Sequence, residues 1–206
     1  MAAKTPNRQQ IRTRETQARL LNAAEEVFVR EGYEAAQLEE IAATAGRSKG
    51  AVYTHFKSKE DFFLALFEHR TRCYIERFGE ALRRCSTRQE RFNAFRNFYV
   101  GLITDRTWTV LTLEFKLFAL RHPESKERLR KAFEMTRTTS TSTQLEDFFG
   151  PLDRKRKSEA EASIAALGPI LSGLILESHF DSDHLSEKTM RRLLGRIFDA
   201  LLPPQP

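Results

Sequence analysis

Residues 38–56 read LEEIAATAGRSKGAVYTHF, and this stretch decides the fold of the N-terminal part of the chain. Gly46 permits a tight turn, and Ser48 is placed to cap a short helix from Lys49 to Phe56. The residues before the turn have the apolar spacing of one helix face, with Leu38, Ile41, Ala42 and Ala45. Two short helices joined in this way predict a helix-turn-helix, whose second helix enters the DNA major groove. The pattern alone also describes a helical hairpin in an ordinary bundle.

Helical spacing of apolar residues extends over most of the 206 residues, and almost nothing alternates with period two. We therefore predict an all-α protein with about nine helices. A first helix ends at Gly32, which is placed as a C-terminal cap, and Ser58 with Asp61 resembles a capping box that opens a long fourth helix. The later helices are predicted at about 60–84, 88–104, 106–121, 123–147, 158–180 and 186–202.

Composition changes near residue 61, where the helices become longer and richer in Phe. We predict a flexible basic arm over residues 1–10, a three-helix DNA-binding domain over residues 11–60 and a helical ligand-binding and dimerisation domain over residues 61–206. The arm either enters the minor groove or stays disordered, and its lack of an apolar anchor favours disorder. Residues 106–121 are apolar nearly all round, so we expect this helix to run through the middle of the last domain.

Composition also narrows the class of protein. Aromatic residues make up 10% of the chain, which argues against disorder. No apolar run approaches the roughly 18 to 20 residues of a membrane-spanning helix, and no secretory signal begins the chain, so we expect a cytoplasmic protein without a membrane partner. We find no P-loop, GxSxG, HExxH or zinc-spaced cysteine pair, so we expect no enzyme, catalytic residue, metal or cofactor. Residues 179–184 contain two His and two Asp, and we expect them to end a helix rather than to bind a metal.

The net charge of +6 is unevenly distributed. Residues 1–20 carry five Lys or Arg against one acid, and residues 47–59 carry four with no acid. Residues 25–40 hold six Glu against one Arg, so the two basic stretches are bounded. Such patches predict a surface that binds a polyanion, and a solvated tail beside a solvated helix face is the alternative.

The pattern IAxxAG, SxGxxYxHF and SKE over residues 41–60 resembles the N-terminal DNA-binding domain of the TetR family of transcriptional regulators, and the resemblance covers about residues 11–62. Residues 114–124 are similar to a segment of the AcrR-like branch. The resemblance implies a repressor that binds a palindromic double-stranded DNA operator as a homodimer. It also implies release of the operator when a small molecule enters the C-terminal domain.

The same resemblance implies which residues contact DNA. Tyr53 and His55 would contact phosphates, Lys59 would place an ammonium near the backbone, and Ser48, Lys49 and Gly50 would lie in the groove. Hydroxyl, imidazole, ammonium and amide groups are donors that phosphate oxygens accept.

Two positions depart from the family pattern. Ala36-Gln37 stands where the family usually has Thr followed by Ser or Thr, so the cap of the second helix is in doubt, although Gln37 can reach a phosphate or a base. Arg47 stands where the family commonly has Val, and it can bind guanine O6 and N7 or a phosphate.

Large apolar residues of the C-terminal helices are candidates for a lipophilic or aromatic ligand, and core packing is the alternative for each of them. These candidates are Phe67, Phe95, Tyr99, Trp108, Leu111, Phe115, Phe118 and Phe133. Glu114 lies within an apolar run and must meet an Arg, cap a neighbouring group or face a cavity.

The last two helices carry apolar stripes that fit a four-helix dimer interface, and packing within their own domain is the alternative. The candidate interface residues are Leu167, Leu171, Leu174, Ile175, Leu193, Leu194, Ile197 and Phe198.

An architectural DNA binder that senses no ligand is a third class of function. Such a protein would show weak sequence preference and a salt dependence set by phosphate contacts alone.

Overall fold

A computed structural model describes residues 7–125, 127, 130, 148, 149, 152–181 and 183–202. Over these residues the chain is helical and contains no β-strand, so the predicted all-α class is confirmed. The α-helices are α1 (Arg8–Ala35), α2 (Leu38–Thr44), α3 (Lys49–His55), α4 (Lys59–Arg83), α5 (Arg88–Thr104), α6 (Arg106–Arg121), α7 (Arg154–Phe180) and α8 (Glu187–Leu201). Most of the predicted helix over residues 123–147 lies outside the described residues, which show a short 3-10 turn at Pro123–Ser125.

Helix ends follow the local capping chemistry of the sequence. Ser58 Oγ accepts from the Asp61 N–H at 3.1 Å, and Asp61 Oδ2 accepts from the Lys57 N–H at 3.1 Å. The first bond is the Ser58 half of the predicted capping box, and the second ties Asp61 to the residue before Ser58. Helix α7 begins four residues before its predicted start because Asp153 accepts from the Arg156 N–H at 2.8 Å.

The chain divides into two compact units. The first comprises residues 1–70 and 110–129, and the second comprises residues 71–109 and 130–206. The boundary predicted at residue 60 rested on composition, whereas the compact units follow spatial contacts. Residues 61–70 and 110–129 belong in space with the N-terminal part of the chain.

The first unit is built on one face of α1. The apolar residues of this face, Leu20, Leu21, Ala24, Val27 and Phe28, are all buried. Ile41 of α2, Val52 of α3 and Phe62 of α4 are fully buried as well. Burying four helices on one shared core holds α2 and α3 in a fixed arrangement and leaves their outer sides at the surface.

Helix α6 departs from the expectation that it is buried all round in the middle of the C-terminal domain. Its residues from Val110 onward pack with the first unit, and Leu120 is 80% exposed. Phe115 stacks on Phe67 with ring centroids 4.1 Å apart. An apolar composition predicts burial, but this helix buries one side and leaves Leu120 in solvent.

The second unit has an aromatic core. Phe95 is fully buried and contacts Phe78, Phe148 and Phe198, with ring centroids 4.9–6.0 Å apart. Five of the eight predicted interface residues belong to this core, namely Leu167, Leu171, Ile175, Leu194 and Phe198. These five side chains already pack inside their own chain, so their contact with a partner stays a prediction. The other three, Leu174, Leu193 and Ile197, are partly exposed.

Helix α7 corrects a further expectation. An 18-residue window of this helix has a mean hydropathy of 1.4, so by length and composition it could cross a membrane. The sequence shows no unbroken apolar run here, because Gly168, Pro169 and Ser172 interrupt the apolar residues of α7. A single helix of this kind is weak evidence for a membrane span, and 22% of the window is buried within the protein.

Candidate nucleic-acid interface

The turn between α2 and α3 has the geometry that its sequence predicts. Gly46 adopts φ 63°, a left-handed conformation that glycine accepts without a steric cost. Ser48 Oγ accepts from the Ala51 N–H at 3.3 Å and caps α3. The Arg47 N–H donates to the Ala42 carbonyl at 2.8 Å, which closes the turn. These bonds orient α3 relative to α2.

The predicted DNA-contacting residues of this region lie together at one surface. Arg47, Ser48, Lys49 and Gly50 are exposed, and Tyr53 is 49% exposed although it is aromatic. His55 is half-buried, with its ring centroid 6.2 Å from that of Phe56. The surface thus presents the Arg47 guanidinium in the turn, and the Lys49 ammonium and the Tyr53 phenol on α3.

Gln37 stands at the N-cap position of α2 and is exposed. Its side chain makes no capping hydrogen bond, which agrees with the doubt raised by the loss of Thr or Ser at this position. Glu39 and Glu40 lie in the first turn of α2, where carboxylates interact favourably with the helix dipole.

Lys49 forms an ion pair with Glu39 across the turn. Each side chain is 53% exposed, so the pair sits on the surface rather than in the core. The hydrogen bond from Lys49 lowers the pKa of Glu39, and the same bond raises the pKa of Lys49. The Lys49 ammonium also lies 5.9 Å from the centroid of the Tyr53 ring. Sequence analysis missed this pair because its members are ten residues apart and the turn alone brings them together.

The Lys59 ammonium holds the end of α1. It donates to the carbonyl oxygens of Glu34 at 2.9 Å and Ala36 at 3.1 Å, and it lies 4.8 Å from the centroid of the Tyr33 ring. Two of its three donors therefore satisfy carbonyls at the end of α1. In the described part of the chain Lys59 joins α4 to α1, and its predicted phosphate contact stays a prediction.

Glu114 of α6 caps the main chain of α1. Its Oε2 accepts from the Tyr33 N–H at 2.9 Å, just after Gly32, where the backbone turns to φ 76° and ψ 168°. A Cβ atom on Gly32 would lie 3.3 Å from both carboxylate oxygens. The Phe118 ring contacts the Tyr33 ring with centroids 4.3 Å apart. Of the three alternatives for Glu114, the structure realises the cap of a neighbouring group.

The predicted ligand-binding residues fall into two groups. Phe67, Leu111, Phe115 and Phe118 are buried in the first unit. The second unit contains Phe95, Tyr99 and Trp108, and Trp108 packs edge-on against Tyr74 with ring centroids 4.9 Å apart. Phe133 lies outside the described residues. All of the described candidates contribute to packing, so their contact with a ligand stays a prediction.

The fold of α2 and α3 and the exposed surface of α3 define a helix-turn-helix. Residues 20–66 match the family model of bacterial regulatory proteins, tetR family. The domain of residues 20–66 is therefore similar to the DNA-binding domain of the TetR family, as the motifs of residues 41–60 predict.

Curated relatives match the same part of the chain. The fatty acid metabolism regulator protein of Bacillus subtilis is 36% identical over 72 residues, which are 35% of this chain and 37% of that protein. The transcriptional activator FasR of Mycolicibacterium smegmatis is 40% identical over 80 residues, which are 39% of this chain and 36% of FasR. The matched segments thus span little more than a third of either relative.

Solved structures extend the similarity of fold beyond this domain. The regulator FadR of Bacillus subtilis in complex with stearoyl-CoA superposes with a TM-score of 0.67 at 20% identity. That comparison covers 92% of this chain and 99% of FadR. At this level of identity the similarity concerns the fold alone.

Proposed function

We propose that the protein is a ligand-responsive transcriptional repressor that binds a palindromic operator as a homodimer and releases it when a lipophilic molecule binds. One observation carries the proposal. The first turns of α3 are exposed and carry donor side chains, whereas the inner side of the same helix is anchored by the fully buried Val52. A rigid, outward-facing helix of this kind suits insertion into the major groove.

Donor chemistry supports the roles of the individual residues. We assign Tyr53 and His55 to phosphates and Lys49 with Arg47 to base edges, because phosphate contacts set the register and base contacts set the sequence. Ser48 is already the cap of α3, so its main contribution is to hold Lys49 at the start of the helix.

The apolar surface of the second unit supports a homodimer. Leu176 is 44% exposed and Phe180 is 87% exposed, and both lie on α7. Leu193 and Ile197 are partly exposed on α8, which packs against α7. We infer that these outer sides, rather than the stripe buried in the core, meet a second copy. Large exposed apolar side chains on two adjacent helices are typical of surfaces that a partner covers.

The class of ligand is inferred from composition and from the relatives. The core of the second unit is rich in Phe, which suits an apolar ligand better than a sugar. The Bacillus regulator with this fold was solved with stearoyl-CoA, and a curated relative is a fatty acid metabolism regulator. We therefore propose a long acyl chain as the lipophilic part of the ligand. Both such a ligand and the operator are available in the cytoplasm.

A binding selection with random DNA duplexes at fixed salt concentration tests the proposal. We expect a palindrome with half-sites about one helical turn apart, released by long-chain acyl compounds. Lys49→Ala and Tyr53→Phe are expected to weaken binding at least fivefold, whereas Lys155→Ala, which removes an exposed lysine of α7, serves as the matched control. Unchanged affinity in both α3 variants contradicts the assignment of the groove face.

Two further results of these experiments decide between the proposed repressor and the other classes of DNA-binding protein. Binding that depends on salt but shows no sequence preference supports the architectural class and overturns the sensor. Because one relative is a transcriptional activator, transcription in vitro from a promoter that carries the selected site separates repression from activation.

A further inference from the structure

The Glu39–Lys49 ion pair places a hydrogen-bond acceptor and a donor side by side on the surface assigned to DNA. Lys49 is the first residue of α3, the end of the helix that reaches base edges in a helix-turn-helix. Glu39 lies on α2 and is as exposed as its partner. A carboxylate on this surface is unexpected, because it repels phosphates. The dipole of α2 and the ion pair with Lys49 stabilise this carboxylate in the free protein, and the bases of the operator offer it a partner in the complex.

We propose that Glu39 and Lys49 act together to read one C·G base pair in each half-site, which makes Glu39 a specificity-determining residue. This inference rests on the proposed function of sequence-specific operator binding. The cytosine N4 amino group donates to the Glu39 carboxylate, and the Lys49 ammonium donates to O6 and N7 of the paired guanine.

The order of groups along the base-pair edge favours C·G over A·T. Across the major groove a G·C pair presents two adjacent acceptors, N7 and O6, followed by the N4 donor. An A·T pair presents its N6 donor between two acceptors, N7 and O4. A carboxylate on adenine N6 would therefore lie beside an acceptor on either side. The adjacent charges of Glu39 and Lys49 match the cytosine–guanine arrangement without this repulsion.

The pair also explains how non-specific binding is limited. While Glu39 holds Lys49, the carboxylate offsets the charge of the ammonium and repels a passing phosphate. At the matching base pair both groups gain a partner at once. The pair therefore weakens binding to unrelated DNA more than it weakens binding to the operator.

Glu40 provides a matched control. It is the next residue on α2, but its carboxylate pairs with Arg30 of α1 instead of with α3. Glu39→Gln and Glu40→Gln thus remove the same charge from neighbouring positions, and only the first acts on Lys49. Thermal unfolding of both variants establishes that each is folded before DNA is added.

The experiment repeats the duplex selection with the full-length wild-type protein, Glu39→Gln and Glu40→Gln, followed by titrations on single substituted operators. In the wild type we expect a C·G pair in each half-site whose replacement by T·A weakens binding about tenfold. In Glu39→Gln this difference should fall below about threefold, with preference moving towards adenine, because glutamine pairs with adenine N6 and N7. Binding of Glu39→Gln to unrelated duplex should become tighter, with a salt slope about one unit steeper. Glu40→Gln should keep the wild-type site.

The alternative outcomes are distinct. If the wild type selects no site, both the operator function and this inference fail. If the wild type and Glu39→Gln select the same site, the reading of C·G is wrong while the operator function stands. The same holds if the wild type prefers A·T at the position where the preference of Glu39→Gln differs. If Glu40→Gln alters the same base pair as Glu39→Gln, the effect is one of general charge and the pair has no specific role.

Discussion

The carboxylate of Glu114 accepts a hydrogen bond from the main-chain N–H of Tyr33 at 2.9 Å, although the two residues are 81 positions apart in the chain. Tyr33 is buried, so its N–H needs a partner within the protein. The contact ties α6 to the end of α1, where Gly32 interrupts the helix. The contact therefore joins α6 to the helix that carries the core of the DNA-binding domain.

Replacing Glu114 is expected to destabilise the protein through this single bond. Glu114→Ala leaves the Tyr33 N–H without its acceptor and should lower the free energy of unfolding by about 1–3 kcal/mol. Glu114→Gln keeps an acceptor oxygen and should recover most of the loss. Urea unfolding of both variants measures the difference. Equal stability of Glu114→Ala and the wild type would sink the capping role and favour contact with a ligand.

Substitutions at two glycines distinguish the stability cost of backbone strain from that of side-chain crowding. Gly46→Ala meets open space and should cost about 1 kcal/mol for its left-handed conformation alone. Gly32→Ala combines a conformation that is essentially restricted to glycine with a Cβ contact of 3.3 Å to Glu114, so a loss of about 2–3 kcal/mol is expected. Chemical denaturation of the two variants gives the comparison. A smaller loss at Gly32 than at Gly46 would show that the backbone there can relax.

The phenol of Tyr33 should titrate late. Burial, with smaller contributions from Glu60 and Glu34, raises the pKa of Tyr33 from 10.0 to about 12. Because the folded state holds this proton more tightly than the unfolded state, its contribution to stability is complete below pH 10 and is lost as the pH rises towards 12. Ultraviolet titration should show a late tyrosinate component that Tyr33→Phe lacks. A missing component that titrates near pH 10 would contradict the burial of this group.

The two sides of α7 should respond differently to the same substitution. Leu176→Glu places a charge on the side proposed to meet a second copy, so a folded monomer with weakened operator binding is expected. Leu171→Glu buries the same charge in the core of the second unit, where Leu171 is almost inaccessible, and should unfold the protein. Analytical ultracentrifugation and circular dichroism distinguish the outcomes. A dimeric Leu176→Glu variant would exclude this side of α7 from the interface.

Local chemistry was sufficient to predict much of the DNA-binding domain. The apolar spacing of Leu38 and Ile41, the glycine at position 46 and the cap at Ser48 each act within one or two turns of chain, and all three appear as expected. The capping pair of Ser58 and Asp61 follows the same logic. Such features are readable in a sequence because the interacting groups are close neighbours along it.

Which side of a helix faces inward depends on distant parts of the chain. The stripe of Leu167 and Leu171 reads as a dimer surface or as a core, and only packing against α5 and α8 made it a core. Similarly, Glu114 could be assigned only after folding brought it to Tyr33, and Glu39 only after the turn brought it to Lys49. Sequence periodicity reports how apolar a face is, whereas the identity of its partner is a property of contacts between residues far apart. The sequence by itself therefore determined most of the described helices and the turn between α2 and α3, and tertiary structure decided which charges and faces meet.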